Sequence, residues 1–124
     1  MFLIRENAPK TEIIFDVKTK NDGNKILLCI GGLKQSMKNF VSNNWIKNHT
    51  NEEYNKIILV KIKPGYNFEH NDVVTQIVQY LENNLDKNAI LDGVSFSFGS
   101  SLLQKISIYY SFNEITLIAP AGYN

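Results

Sequence analysis

The segment that decides the fold runs from Ile90 to Ser100 and reads Ile-Leu-Asp-Gly-Val-Ser-Phe-Ser-Phe-Gly-Ser. Its first part, Ile90 to Phe96, has the length and composition of a buried strand. An apolar periodicity of helical type begins at Leu102, only a few residues later. The sequence therefore predicts a strand that enters a helix through a tight turn around Ser97.

Four other runs have strand composition, and two of them are apolar nearly throughout, which is typical of strands covered on both faces in a parallel sheet. The four runs are Glu12 to Val17, Lys25 to Ile30, Ile57 to Ile62 and Ile115 to Ala119. The turn residues Asn21-Asp22-Gly23-Asn24 separate the first run from the second. We therefore expect those two strands to form an antiparallel pair.

Three segments between the strands have helical periodicity, and we expect their apolar stripes to pack in the core. The stripes are Met37, Phe40, Val41 and Trp45; Val73, Val74, Ile77, Val78, Leu81 and Leu85; and Leu102, Leu103, Ile106, Tyr109 and Tyr110. Ser36 precedes the first stripe as a candidate N-cap, and Asn71 and Asp72 are placed to cap the second helix. From Lys25 onward the alternation predicts a doubly wound α/β fold, with a mostly parallel sheet of about five strands and helices on both faces.

The composition of the 124-residue chain bounds its function. The chain has 13 basic and 12 acidic residues, so a net charge of +1 gives no electrostatic basis for binding nucleic acid. Neither a secretory signal nor a run long enough to span a membrane is visible, which favours a cytoplasmic protein. The single cysteine, Cys29, lies in an apolar run and is expected to be buried and inert.

No pattern in the sequence indicates a metal or a cofactor. The segment Gly31-Gly32-Leu33-Lys34-Gln35-Ser36 lacks the G-x-G-x-x-G spacing, and no G-K-[ST] phosphate loop is present. Nucleotide binding is therefore the weakest of the functional hypotheses.

The unusual residues collect at one predicted edge of the sheet, where the carboxyl ends of the parallel strands meet. Ligands of open α/β sheets bind beyond that edge. The loops predicted there are Gly31 to Gln35, Pro64 to His70, the turn around Ser97, and Pro120 to Asn124. The loops of the opposite edge are plain polar turns, so the sequence indicates one functional edge.

The turn Ser95-Phe96-Ser97-Phe98-Gly99 resembles the G-x-S-x-G nucleophile elbow of the α/β-hydrolase superfamily. The resemblance implies that Ser97 is a nucleophile and that Gly99 lies where the turn leaves little room for a side chain. Ser95 replaces the first glycine of the pattern. We therefore expect residues 1 to 124 to form a single, truncated domain of the α/β-hydrolase fold.

The flanking segments extend this resemblance. The segment Leu27 to Gly32 is similar to the strand and turn that supply an oxyanion donor, although Ile30 stands where the family often has histidine. Ile58 to Tyr66 and Ile115 to Gly122 are similar to the strands on either side, with lysines at 61 and 63 where an acidic residue is more usual. The resemblance implies an oxyanion hole formed by the Phe98 N–H and an N–H near Gly32 or Leu33.

The family's triad follows the order Ser, Asp or Glu, then His. Only one acidic residue, Glu114, follows Ser97, and no histidine does. Glu114 precedes the last predicted strand at the opposite edge, and His49 lies in a polar loop there. His70 falls on the functional edge and is the remaining candidate general base, although a turn or capping role is the more ordinary one for a histidine in this place.

Two functional hypotheses follow. In the first, Ser97 hydrolyses an ester, thioester or amide of a small acyl substrate, with weak or no activity in the isolated chain because the triad acid and histidine are missing. In the second, the domain is a noncatalytic hydrolase remnant or an interaction module. The strand Ile115 to Ala119 is expected to form an open edge. A second copy of the chain, or another chain completing the sheet, is the expected partner.

Overall fold

The computed structural model of the protein describes residues 9 to 31 and 54 to 118, which form an α/β fold. The strands are β1 (Glu12–Thr19), β2 (Lys25–Ile30), β3 (Lys56–Lys63), β4 (Ile90–Phe96) and β5 (Glu114–Ile118). The helices are α1 (His70–Asn84), between β3 and β4, and α2 (Gly99–Tyr109), between β4 and β5. All five predicted strands are therefore present, with ends that lie within two residues of the predicted ones.

The five strands form one mixed sheet in the order β1-β3-β2-β4-β5. Strand β2 is parallel to both of its neighbours, and β4 is parallel to β5, whereas β1 is antiparallel to β3. The α/β prediction is confirmed at this level. Both described helices pack on the same face of the sheet, and the helix predicted around Met37 to Trp45 lies outside the described residues.

Alternating side chains of the strands divide the core between the two faces of the sheet. Ile26, Leu28 and Ile30 of β2 face α1 and α2 and belong to the larger cluster, with Leu103 of α2. Leu27 and Cys29 belong to a smaller cluster on the other face, which also contains Tyr54, Leu59 and Val94. Because the five residues from Ile26 to Ile30 are at most 4% exposed, β2 is the centre of the fold.

The prediction that β1 and β2 pair with each other was wrong, because β3 lies between them. Asn55, directly before β3, bonds to both sides of the intervening turn. Its backbone carbonyl accepts from the Lys20 N–H at 2.8 Å, and its side-chain oxygen accepts from the Lys25 N–H at 3.0 Å. Its amide nitrogen donates to the Asn21 side chain, and a Cβ on Gly23 would overlap the Asn55 side chain. The turn residues therefore surround the start of a third strand instead of closing a hairpin.

Two details of the helices also differ from the prediction. Helix α1 begins at His70 with Glu69 as its N-cap, and no side chain caps it, so Asn71 and Asp72 lie inside the first turn. Tyr109 is 70% exposed, because it is the last residue of α2 and lines the outer groove between α1 and α2 instead of facing the sheet. Neither of the described helices is long and apolar enough to cross a membrane.

We predict that Asn55→Ala lowers the free energy of unfolding by about 1 to 3 kcal/mol, because it leaves the half-buried Lys25 N–H without its acceptor and removes the donor to the exposed Asn21 side chain. Urea denaturation followed by circular dichroism measures this change. Asn88→Ala is the matched control, because the Asn88 side chain is exposed and forms no hydrogen bond with a described residue. Equal stability of the two variants would show that Asn55 does not hold β1, β2 and β3 together.

Candidate functional site

The strand order creates a crevice at the carboxyl ends of β2 and β4. Strand β3 follows β2 in the sequence and lies on one side of it, whereas β5 follows β4 and lies on the opposite side. The connections that leave β2 and β4 therefore diverge, and such a switch point is where open α/β sheets bind their ligands. Ile30 is opposite Ser95 in the register of these two strands. Gly31 and the turn around Ser97 thus flank the crevice.

Ser97 occupies a strained position in this turn. Its φ is 55°, and it is the one non-glycine residue in the described ranges that has a positive φ. The left-handed conformation costs a residue with a Cβ atom about 1 to 2 kcal/mol. Strain of this kind persists only where the surrounding structure enforces it, and it is concentrated at functional sites. The backbone of the half-exposed Ser97 is therefore held in place by its neighbours.

Backbone contacts enforce the conformation of the turn. The Ser97 N–H donates to the Ile118 carbonyl of β5 at 3.1 Å, and the Ser97 carbonyl accepts from the Ser100 N–H at 3.0 Å. A Cβ on Gly99 would lie 2.5 Å from the Ile30 carbonyl oxygen and 2.7 Å from that of Gly31. These neighbours are backbone atoms and cannot rotate away. Only glycine at position 99 lets α2 begin this close to the end of β2.

The residues on either side of Ser97 have different environments. Ser95 is fully buried and its hydroxyl donates to the Ser100 hydroxyl at 3.1 Å, so it ties the end of β4 to the first turn of α2. The Phe98 N–H, by contrast, donates to no described residue. It lies at the start of α2, where free N–H groups favour negative charge. The Phe98 N–H is thus available to an anionic oxygen.

His70, the first residue of α1, contacts the turn through Ser101 of α2. Its Nε2 lies 3.1 Å from the Ser101 hydroxyl, and its ring meets the Phe98 ring edge-on, with 5.9 Å between centroids. Its Nδ1 is buried without a partner among the described residues. Burial lowers the pKa of His70, and the positive charge of Lys105 on α2 lowers that pKa further. Both effects favour the neutral imidazole of His70 beside the turn.

A buried polar cluster at the opposite edge of the sheet was not predicted. Asp92 of β4 accepts from the Tyr54 hydroxyl at 2.8 Å and from the Asn113 side-chain amide at 3.0 Å. The sequence signal was a carboxylate inside an otherwise apolar strand. Asp92 lies five residues before Ser97, which is about 16 Å along an extended strand. Both of its oxygens have donors, so Asp92 is a structural carboxylate and does not belong to the site.

The structure brings together Ser95, Ser97, Phe98 and Gly99 in one turn, with His70 beside it through Ser101. Gly32, Leu33, His49 and the segment from 119 to 124 lie outside the described residues. Glu114 is exposed at the start of β5, at the edge away from Ser97, as predicted.

Cys29 is buried, and burial strongly raises the pKa of its thiol. Within the described ranges, no group of three or more His, Cys, Asp or Glu side chains could hold a metal ion.

No protein-family model matches the sequence, and no curated protein matches it.

We predict that Ser97→Gly unfolds with a free energy about 1 kcal/mol higher than Ser97→Ala, because only glycine relieves the left-handed strain. Urea denaturation of the two variants measures the difference. Both substitutions remove the hydroxyl, so the comparison isolates the backbone. Ser107→Gly and Ser107→Ala form the control pair, because Ser107 lies inside α2, where glycine destabilises relative to alanine. The same order of stability at both positions would contradict the strained turn.

We predict that the protein loses stability as the pH falls below about 6.5, the ordinary pKa of histidine. The pKa of His70 is lowered in the folded state, so between that lowered value and 6.5 the unfolded chain binds more protons. The stabilisation is complete above 6.5 and is lost as the pH approaches the folded pKa. Urea denaturation at pH 7.5 and pH 5 measures the loss, which His70→Gln reduces. An equal pH dependence in the wild type and His70→Gln would contradict this assignment.

Proposed function

We propose that the protein is a serine acyl hydrolase of the α/β-hydrolase type, with Ser97 as its nucleophile. The observation that carries the proposal is the positive φ of Ser97 in a turn that leads directly from β4 into α2 at the switch point of the sheet. A nucleophile elbow is defined by a strained strand-to-helix turn that exposes the serine hydroxyl. The crowding around Gly99 supports the same interpretation.

In the proposed reaction, the Ser97 oxygen attacks the carbonyl carbon of an ester, thioester or amide. The carbonyl oxygen becomes an oxyanion and accepts from the Phe98 N–H, with an N–H near Gly32 or Leu33 as the second donor. Collapse of the tetrahedral intermediate releases an alcohol, thiol or amine and leaves an acyl group on Ser97. Water then hydrolyses this acyl enzyme, returning the free serine and a carboxylic acid.

The reaction requires a base that takes the proton from Ser97. No described side chain accepts a hydrogen bond from the Ser97 hydroxyl, and Nε2 of His70, the candidate base, is bonded to Ser101. We therefore extend the proposal to a base that lies outside the described residues, in another polypeptide or in residues absent from this form of the chain. The isolated chain is then expected to have weak hydrolytic activity, which comes only from the oxyanion hole and from substrate binding.

A noncatalytic interaction module is the second candidate, and the position of β5 favours it. Strand β5 is the last strand of the sheet, and in the described residues it pairs only with β4. Its residue Ile115 is 37% exposed. An apolar edge strand is a template for pairing with another chain. A polypeptide that carries the missing base would join the sheet at the same edge. The two candidate functions therefore differ only in whether Ser97 reacts with a substrate.

Labelling with a fluorophosphonate probe tests the proposal, because such probes phosphorylate an activated serine. We expect slow labelling of the purified chain at Ser97, faster labelling after addition of an extract of the source cells, and none in Ser97→Ala. Ser107→Ala is the matched control and should label like the wild type. If no Ser97-dependent labelling occurs with or without extract, the hydrolase proposal fails. The interaction module is then the remaining candidate.

A further inference from the structure

Three contacts connect His70 to the turn that carries Ser97. Its Nε2 is 3.1 Å from the Ser101 hydroxyl, and its ring packs against that of Phe98. The Ser101 hydroxyl in turn donates to the Phe98 carbonyl at 3.1 Å. The Ser101 N–H also donates to this carbonyl, at 3.3 Å. The Phe98 carbonyl thus accepts two hydrogen bonds from Ser101, one from its hydroxyl and one from its backbone N–H. His70 is hydrogen-bonded to that hydroxyl.

The direction of these hydrogen bonds follows from counting protons. A serine hydroxyl has one proton, and Ser101 gives it to the Phe98 carbonyl, so the Ser101 oxygen accepts from His70. Nε2 of His70 therefore carries the proton and Nδ1 does not. In this tautomer the buried Nδ1 is an acceptor without a donor, and no buried N–H of His70 is left without an acceptor. In this arrangement Nε2 has no lone pair with which to accept a proton from Ser97.

We infer that His70 is a positioning residue, which acts through Ser101 to hold the Phe98 backbone in the orientation that aims its N–H into the crevice. Phe98 carries the candidate oxyanion donor at one end and the held carbonyl at the other. Fixing the carbonyl restrains rotation of the residue and so the direction of its N–H. The link joins α1 to the start of α2, so the position of one helix is transmitted to the turn. The effect of these hydrogen bonds on a reaction at Ser97 rests on the proposed function. The hydrogen bonds between His70, Ser101 and Phe98 do not.

Amide hydrogen exchange followed by NMR tests the link without any substrate. We expect His70→Phe, which keeps the ring but removes the donor, and Ser101→Ala each to speed exchange of the Ser100 and Ser101 amides by about threefold to tenfold, as for the loss of one hydrogen bond. His70→Gln, which restores a donor, should bring the rates back toward wild type. The Ile90 and Asn113 amides, bonded at the opposite edge of the sheet, should not change.

Ser107→Ala is the matched control, because the Ser107 hydroxyl also donates to the carbonyl three residues earlier in α2 but lies away from the turn. A double variant, His70→Phe with Ser101→Ala, should exchange no faster than Ser101→Ala alone, since both changes break the same link. The inference is overturned if the Ser100 and Ser101 amides are unaffected by His70→Phe, or if the Ile90 and Asn113 amides speed up equally.

Fluorophosphonate labelling at saturating probe provides the second readout. We expect His70→Phe to slow labelling of Ser97, and His70→Gln to restore it. If both variants label equally slowly while His70→Gln exchanges like the wild type, His70 acts as a general base and the positioning role is wrong. If the wild type is never labelled, the hydrolase proposal fails, and the exchange rates still decide whether His70 holds the turn.

Discussion

The burial of β2 is the constraint on which the rest of the structure depends. Its apolar residues fill both faces of the sheet, so β2 requires a strand on each side and cover on each face. Parallel neighbours on both sides leave no free edge for β1, which instead pairs with the outer edge of β3. The same arrangement makes the connections from β2 and β4 diverge. The crevice beside Ser97 is therefore a consequence of how the central strand is buried.

Close packing at the end of β2 then determines the shape of the turn. Helix α2 begins against the carbonyls of Ile30 and Gly31, and this approach leaves room for a glycine alone at position 99. Ser97 must turn the chain within two residues of that contact and adopts a conformation that costs a residue with a side chain about 1 to 2 kcal/mol. A serine that served only to begin a helix would not need this conformation. The strain is the strongest physical argument for a functional role.

Much of the fold could be predicted from the sequence, because the spacing of apolar residues over many positions indicates where strands and helices form. The turn around Ser97 was predicted for the same reason, since a strand pattern that ends at Phe96 is followed within a few residues by a helix pattern. The neighbours of β1 could not be predicted. A turn sequence such as that of 21 to 24 specifies a local reversal, whereas the insertion of β3 depends on Asn55, some thirty residues further on. The contact of His70 with Ser101 is likewise between residues far apart in the chain, and no local pattern records it.

Asp92 also has a consequence for how the strands align. Its two oxygens are bound by Tyr54, which precedes β3, and by Asn113, which precedes β5, so one carboxylate in β4 connects segments on both sides of it. A shift of β4 by one residue against β2 would turn this carboxylate toward α1 and α2, into an apolar layer with neither donor. Misaligned pairings of the central strands are thereby disfavoured during folding. The two hydrogen bonds of the buried Asp92 side chain thus help to specify the register of β4.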